Sequence, residues 1–108
     1  MIISKTPFRM SFFGGGTDFP QWYNNHGGCV LTTTINKYCY INLRKLPPFF
    51  NYQFRLRYLK TEEKKNIKSI SHNSFREILR HYKFDKEFIE IVYHADLPAL
   101  SGLGSSSS

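Results

Sequence analysis

Pro98-Ala99-Leu100-Ser101-Gly102-Leu103-Gly104-Ser105-Ser106-Ser107-Ser108 follows directly on an apolar run, Phe88 to His94, that reads as a strand. Two glycines one residue apart let the backbone curl so that successive N–H groups point inward, and the serines add hydroxyls and N-capping capacity without bulk. A strand that delivers such a turn reads as the entry to a phosphate-binding loop, and the order of elements before it, strands, a short helix, a hairpin, strands, an amphipathic helix and a central strand, is an α+β layer arrangement. Gly104 is followed by Ser105, where a Walker P-loop has lysine, so a nucleotide held here is held by another class of loop. On composition alone the same residues also fit a flexible Gly/Ser tail.

Working back from the loop, Ile89, Ile91 and Tyr93 lie on one side of the strand and Phe88 and Val92 on the other, as expected well inside a sheet. Ser74-x-x-Glu77 forms a capping box ahead of Phe75, Ile78, Leu79 and Tyr82 at helical spacing, which predicts one amphipathic helix. Thr61 to Asn66 reads as a charged connector. Phe54, Leu56 and Tyr58 alternate with Arg55 and Arg57, the pattern of a strand at a sheet edge. Those arginines read as solvated, with phosphate contact as the alternative. Cys29 to Ile35 and Tyr38 to Leu43 read as a hairpin about an Asn36-Lys37 turn, with Val30, Thr32, Thr34, Cys39, Ile41 and Leu43 on the core face.

At the start of the chain, Phe8, Met10 and Phe12 alternate with Arg9 and Ser11, a half-buried strand that runs into Gly14-Gly15-Gly16. A short helix follows, with Thr17 or Asp18 able to cap it, Pro20 in its first turn and His26-Gly27-Gly28 at its end. Trp22 and Tyr23 read as core.

The 108 residues make at most one domain, and one this size buries about two-thirds of its unfolded surface, so its stability margin is expected to be small. Hydrophobic content of 41%, with 17% aromatic, suits a globular chain and argues against intrinsic disorder. Fifteen Lys plus Arg against eight Asp plus Glu give +7, which favours anionic partners without choosing among nucleotide, sugar phosphate, nucleic acid or membrane surface. Under the hairpin register Cys29 and Cys39 fall on opposite faces, so both are expected as buried free thiols in a reducing compartment. The four histidines lack metal-site spacing and read as structural or surface groups. Met1 to Lys5 has no secretory character and no apolar run reaches spanning length, so the expected compartment is the cytoplasm.

Pro98-x-x-x-Gly102-Leu103-Gly104-Ser105-Ser106-Ser107 resembles the nucleotide-binding motif of the GHMP family of small-molecule kinases. Thr6-Pro7-Phe8-Arg9-Met10-Ser11-Phe12-Phe13-Gly14-Gly15-Gly16-Thr17-Asp18 resembles that family's first motif, in the form of its sugar-phosphate members and especially the D-glycero-D-manno-heptose 7-phosphate kinases. Arg55 to Glu62 and His72 to Leu79 are similar to the same group. The resemblance implies the family's N-terminal domain, a mixed sheet with helices on one face, related to the second domain of a small-subunit ribosomal protein.

It also implies roles. Ser101, Gly102, Leu103, Gly104, Ser105, Ser106 and Ser107 would bind ATP, with the Ser106 hydroxyl a ligand of Mg²⁺ or, alternatively, a plain helix cap. Gly14, Gly15, Gly16, Thr17 and Asp18 would lie against the phosphoryl acceptor, Asp18 accepting hydrogen bonds from vicinal hydroxyls or serving as a helix N-cap. Arg9 would stand near the transferred phosphate as a catalytic residue, or else be an ordinary exposed strand arginine. The partners implied are ATP and a sugar phosphate, with no nucleic acid or membrane; the oligomeric state is not legible. The family's catalytic aspartate, third glycine motif and C-terminal domain would lie beyond the equivalent of Ser108. The expectation is therefore a truncated N-terminal domain over residues 1–108, ending inside the phosphate loop and inactive alone, from an enzyme that phosphorylates the anomeric hydroxyl of D-glycero-D-manno-heptose 7-phosphate. Another sugar acceptor such as fucose, a non-catalytic basic binding module and a functionless remnant are the alternatives.

Overall fold

The structure is a computed structural model that describes residues 1–98. Its strands are β1 (Ile2–Phe13), β2 (Leu31–Lys45), β3 (Phe54–Arg57), β4 (Thr61–Lys64) and β5 (Ile89–Ala95), and its helices α1 (Pro20–His26) and α2 (Asn73–His81). The strands form one sheet in the order β1-β2-β5-β3-β4. β3 runs parallel to β5 and antiparallel to β4, so the sheet is mixed and the fold α+β. The expected central position of the Phe88 to His94 run is met: β5 has a neighbour on each side.

The described chain divides into two compact units, one of Met1–Ser4 with Tyr40–His94, the other of Lys5–Cys39 with the described residues from Ala95. In the first unit β2 and β5 run antiparallel, since the Leu46 N–H donates to the Phe88 carbonyl at 2.8 Å while Arg44 pairs with Glu90. Register then sorts the side chains. Phe54 stands beside Ile89 and Leu56 beside Ile91 on one face, where Ile67, Ile70 and Leu79 close over them and Ile41, Leu43, Phe75 and Phe84 pack around the rim. The opposite face receives Arg55, level with Glu90 on β5 and Glu63 on β4. Glu90 is buried between Arg44, which hydrogen-bonds it, and Arg55, whose Nε lies 3.6 Å away and 3.4 Å from Glu63. Those Arg55 distances are ion-pair contacts without hydrogen-bond alignment.

Three expectations change in this unit. β3 is an interior strand and the charged stretch after it is β4, the true edge. The Glu62 side of β4 turns inward, where the Tyr58 hydroxyl donates to one carboxylate oxygen and the Ser71 N–H to the other at 2.8 Å. A short, charged strand is a common way to close a sheet edge. Helix α2 starts before the Ser74 box: His72 is the N-cap, its Nδ1 accepting from the Phe75 N–H at 3.5 Å. Arg76 braces that start, donating to Asn73 Oδ1 at 2.8 Å and to the Ile70 carbonyl at 3.1 Å, and Glu77 is drawn to Arg76 and Arg80 instead of to a cap. Of the four apolar residues at helical spacing, Leu79 is buried and Phe75 half-buried, whereas Ile78 and Tyr82 are exposed.

In the second unit the expected hairpin is absent. β2 is one strand of 15 residues that passes straight through Asn36 and Lys37. A two-residue type I′ turn needs positive φ at both central residues, and among the described residues only Gly14, Gly27 and Lys83 have it. Asn36-Lys37 lacks the glycine that would make the turn cheap, while Thr, Ile and Tyr on both sides favour extended backbone. β1 lies antiparallel to β2: Lys5 Nζ sits 3.9 Å from the Tyr38 ring centre, and Thr32 Oγ1 donates to the Met10 carbonyl at 3.0 Å, so partners descend along β2 as β1 climbs. Continuity changes the faces. Cys39, Ile41 and Leu43 remain inward, but Val30, Thr32 and Thr34 are exposed. The argument that put the two sulfurs on opposite faces falls with the hairpin; neither sulfur is in a disulfide, Cys39 being buried and Cys29 exposed.

Candidate functional site

β1 carries Phe8 into the interior, fully buried, and leaves Arg9 exposed on the other face. Among the described residues no hydrogen bond or ion pair engages the Arg9 guanidinium. The strand ends at Phe13 and the chain enters a tight turn at Gly14, with φ 89° and ψ 0°. Only glycine fits there: a Cβ would overlap the Cys29 carbonyl oxygen and lie 3.0 Å from Val30 Cα. Gly15 and Gly16 differ in kind, because a Cβ at either would meet nothing within 4 Å. Their bare backbone faces open space, which a ligand could approach closely.

Thr17 clamps this turn. Its N–H donates to the Gly14 carbonyl at 2.9 Å and its hydroxyl to the same oxygen at 2.7 Å, while the Cys29 N–H donates to Thr17 Oγ1 at 3.1 Å. The Cys29 carbonyl lies 3.2 Å from the same hydroxyl. Thr17 thus ties the glycine turn to the segment that enters β2. Asp18 is exposed, and among the described residues no hydrogen bond or ion pair holds its carboxylate. Neither Thr17 nor Asp18 caps α1. Phe19 is the N-cap residue, with no side-chain bond, Pro20 takes the first turn as expected, and Gly27 ends the helix with φ 72°, its N–H donating to the Tyr23 carbonyl at 3.0 Å.

Trp22 and Tyr23, expected in the core, are 51% and 44% exposed. Phe12 and Phe13 before the glycine turn, Phe19 after it and Leu31 at the start of β2 are exposed as well. The Trp22 and His26 rings lie 4.6 Å apart on one side of α1.

The residues Ser101 to Ser107 fall outside the described residues, but the chain leading to them is fixed. Asp96 grips Tyr38 twice, its N–H donating to the Tyr38 carbonyl at 2.9 Å and its Oδ2 accepting the Tyr38 N–H at 2.8 Å. Sequence reasoning passed over Asp96. A short acidic side chain just past a strand, able to bond nearby backbone, was the available signal. Among the described residues no group of three or more His, Cys, Asp and Glu side chains could hold a metal ion, and no helix is long and apolar enough to cross a membrane.

The mixed sheet and its helices resemble the N-terminal domain of the GHMP kinases. The chain is homologous, at low identity, to D-glycero-D-manno-heptose kinases. It is 27% identical over 115 residues to the D-glycero-alpha-D-manno-heptose 7-phosphate kinase of Campylobacter jejuni subsp. jejuni serotype O:2, a match covering 99% of this chain and 34% of that protein. The crystal structure of a D-glycero-D-manno-heptose 1-phosphate kinase from Bacteriodes thetaiotaomicron superposes with a TM-score of 0.73 at 25% identity, over 96% of this chain and 37% of that one. A second crystal structure, from Campylobacter jejuni, shares the fold at 23% identity with a TM-score of 0.66, over 96% of this chain and 36% of that one. The chain spans about a third of the length of the relatives it matches. No family model matches it.

Proposed function

We propose that the full-length protein is an ATP-dependent sugar kinase whose acceptor is a heptose phosphate, residues 1–108 being inactive alone. The observation that carries this reading is the glycine turn, in which one glycine is locked against Cys29 and the next two present bare backbone to open space. A sugar is oriented most simply by backbone that approaches closely and by a carboxylate that accepts from vicinal hydroxyls, and the uncommitted Asp18 beside the turn supplies the second. Arg9 carries positive charge for the transferred phosphate. Gly102 to Ser107 would hold the nucleotide phosphates through backbone N–H groups, with Ser106 toward Mg²⁺, whose bound charge would neutralise the phosphates. The cytoplasm, where ATP and reduced thiols coexist, suits such an enzyme.

The two heptose kinases named above carry different phosphate positions in their names, so the assay needs both acceptors. Protein isolated from its source cells, its intact mass measured first, is incubated with ATP, Mg²⁺ and either heptose 7-phosphate or heptose 1-phosphate, and product is followed by ADP release and ³¹P NMR. Acceptor-dependent ADP with a new anomeric phosphate is the expected result. Asp18→Asn should lower kcat/KM about 100-fold through lost positioning. No ADP with any sugar phosphate, together with steeply salt-dependent oligonucleotide binding, would reverse the reading toward a basic binding module.

A further inference from the structure

Four of the arginines are matched to glutamates: Arg44 and Arg55 to Glu90, Arg55 also to Glu63, and Arg76 and Arg80 to Glu77. Arg57 has no such partner among the described residues. It lines a hollow of about 250 Å³ together with Lys60, Thr61 and His94, walled by Tyr58, Leu59, Val92 and Tyr93. No carboxylate lines it. Two larger hollows of the same unit each include one, Asp85 in the first and Glu90 in the second.

The hollow is also held in shape. β3 turns into β4 at once, with the Tyr58 N–H donating to the Lys60 carbonyl at 2.9 Å and Arg57 standing level with Thr61. The Tyr58 hydroxyl is engaged by buried Glu62, which fixes the ring as a wall and leaves the cationic groups as the donors. On the other side Arg57 is in register with Val92 of parallel β5. The hollow therefore sits at the carboxyl ends of two neighbouring parallel strands, where open mixed and parallel sheets commonly receive ligands.

We infer that the hollow bounded by Arg57, Lys60, Thr61 and His94 is a binding site for a phosphate group. Residues that carry a guanidinium, an ammonium, a hydroxyl and an imidazole, lining one hollow with no carboxylate among them, match a phosphomonoester, and the volume admits the phosphate with room for part of the molecule that bears it. The inference needs only these residues and stands apart from the kinase reading. The phosphate could arrive free, on a nucleotide or on a sugar.

The test is an amide-resolved NMR titration of the protein with inorganic phosphate, then with ATP and with heptose 7-phosphate. Saturable shifts at residues 57–61 and 92–94 are expected. Arg57→Ala and Lys60→Ala should each weaken binding about tenfold, the loss of one charge-assisted hydrogen bond, while Arg80→Ala on α2 leaves it unchanged. Tighter binding of ATP or of the sugar phosphate than of free phosphate assigns the source. Asp18→Asn, which tests the kinase reading, should not alter these shifts, so the two ideas fail separately. Shifts that miss these residues with all three ligands, shifts unaffected by both alanine variants, or a response to oligonucleotides alone would overturn the inference.

Discussion

Three adjacent glycines of the first turn serve different ends. Gly14→Ala should cost about 1–3 kcal/mol, at the upper end because strained φ and overlap with the Cys29 carbonyl act together. Gly15→Ala should stay within about 1 kcal/mol of wild type, since its Cβ meets nothing. Urea unfolding distinguishes the two; equal losses would contradict the geometry. Glu62 and Tyr58 give a pH dependence of defined sign. Burial by itself would push the Glu62 carboxyl up, but the Tyr58 hydroxyl and the Ser71 N–H donate to its ionised form and hold it below its ordinary value. The unfolded state then binds the proton more readily, so this stabilisation is present at neutral pH and is lost as pH falls through the folded value. The same hydrogen bond, with burial and the nearby charge, lifts the Tyr58 phenol to about 12. Its contribution is full below an unfolded value of about 10 and is lost as pH rises toward the folded one. Denaturation midpoints of Glu62→Gln should therefore change less than those of wild type at both extremes.

At the scale of elements, β2 and α2 offer the sharpest contrasts. In a continuous strand Lys37→Gly should destabilise by about 1 kcal/mol, whereas an Asn-Gly hairpin turn would be stabilised by the same change. On α2, Leu79→Ala should cost about 2–5 kcal/mol and exposed Ile78→Ala about 0.5 kcal/mol, although both residues fit one helical pattern in the sequence. That pair shows what periodicity reveals. The alternation of Phe54 with Leu56 and of Ile89 with Ile91 announced the strands whose register builds the core, because both follow from local spacing. β4 was illegible for the opposite reason: Thr-Glu-Glu-Lys has no apolar side, and it buries Glu62 only because Tyr58 and a distant Ser71 satisfy the carboxylate. The His72 cap and the grip of Asp96 on Tyr38 likewise depend on partners that folding supplies. The Gly14 turn could be read directly, since a glycine triplet after a strand has few other uses, but the clamp by Thr17 could not.

Across the whole molecule, the acidic residues are nearly all committed. Glu62, Glu63, Glu77, Glu87, Glu90 and Asp96 each have a hydrogen-bonded or ion-pair partner, leaving Asp18 and Asp85 with no side-chain partner among the described residues. With a net charge of +7, the surplus cations face solvent, and affinity for small anions should fall as ionic strength rises. The contrast between the two thiols has a practical side. Cys29 is exposed and its carbonyl touches the glycine turn, whereas Cys39 is 1% exposed. A thiol-reactive fluorophore added to the native protein should attach once, at Cys29, and twice in denaturant; equal native labelling would contradict the assignment. Attached there, the dye becomes a reporter beside the turn itself, and acceptor binding can be followed as a change in its emission without introducing a foreign cysteine.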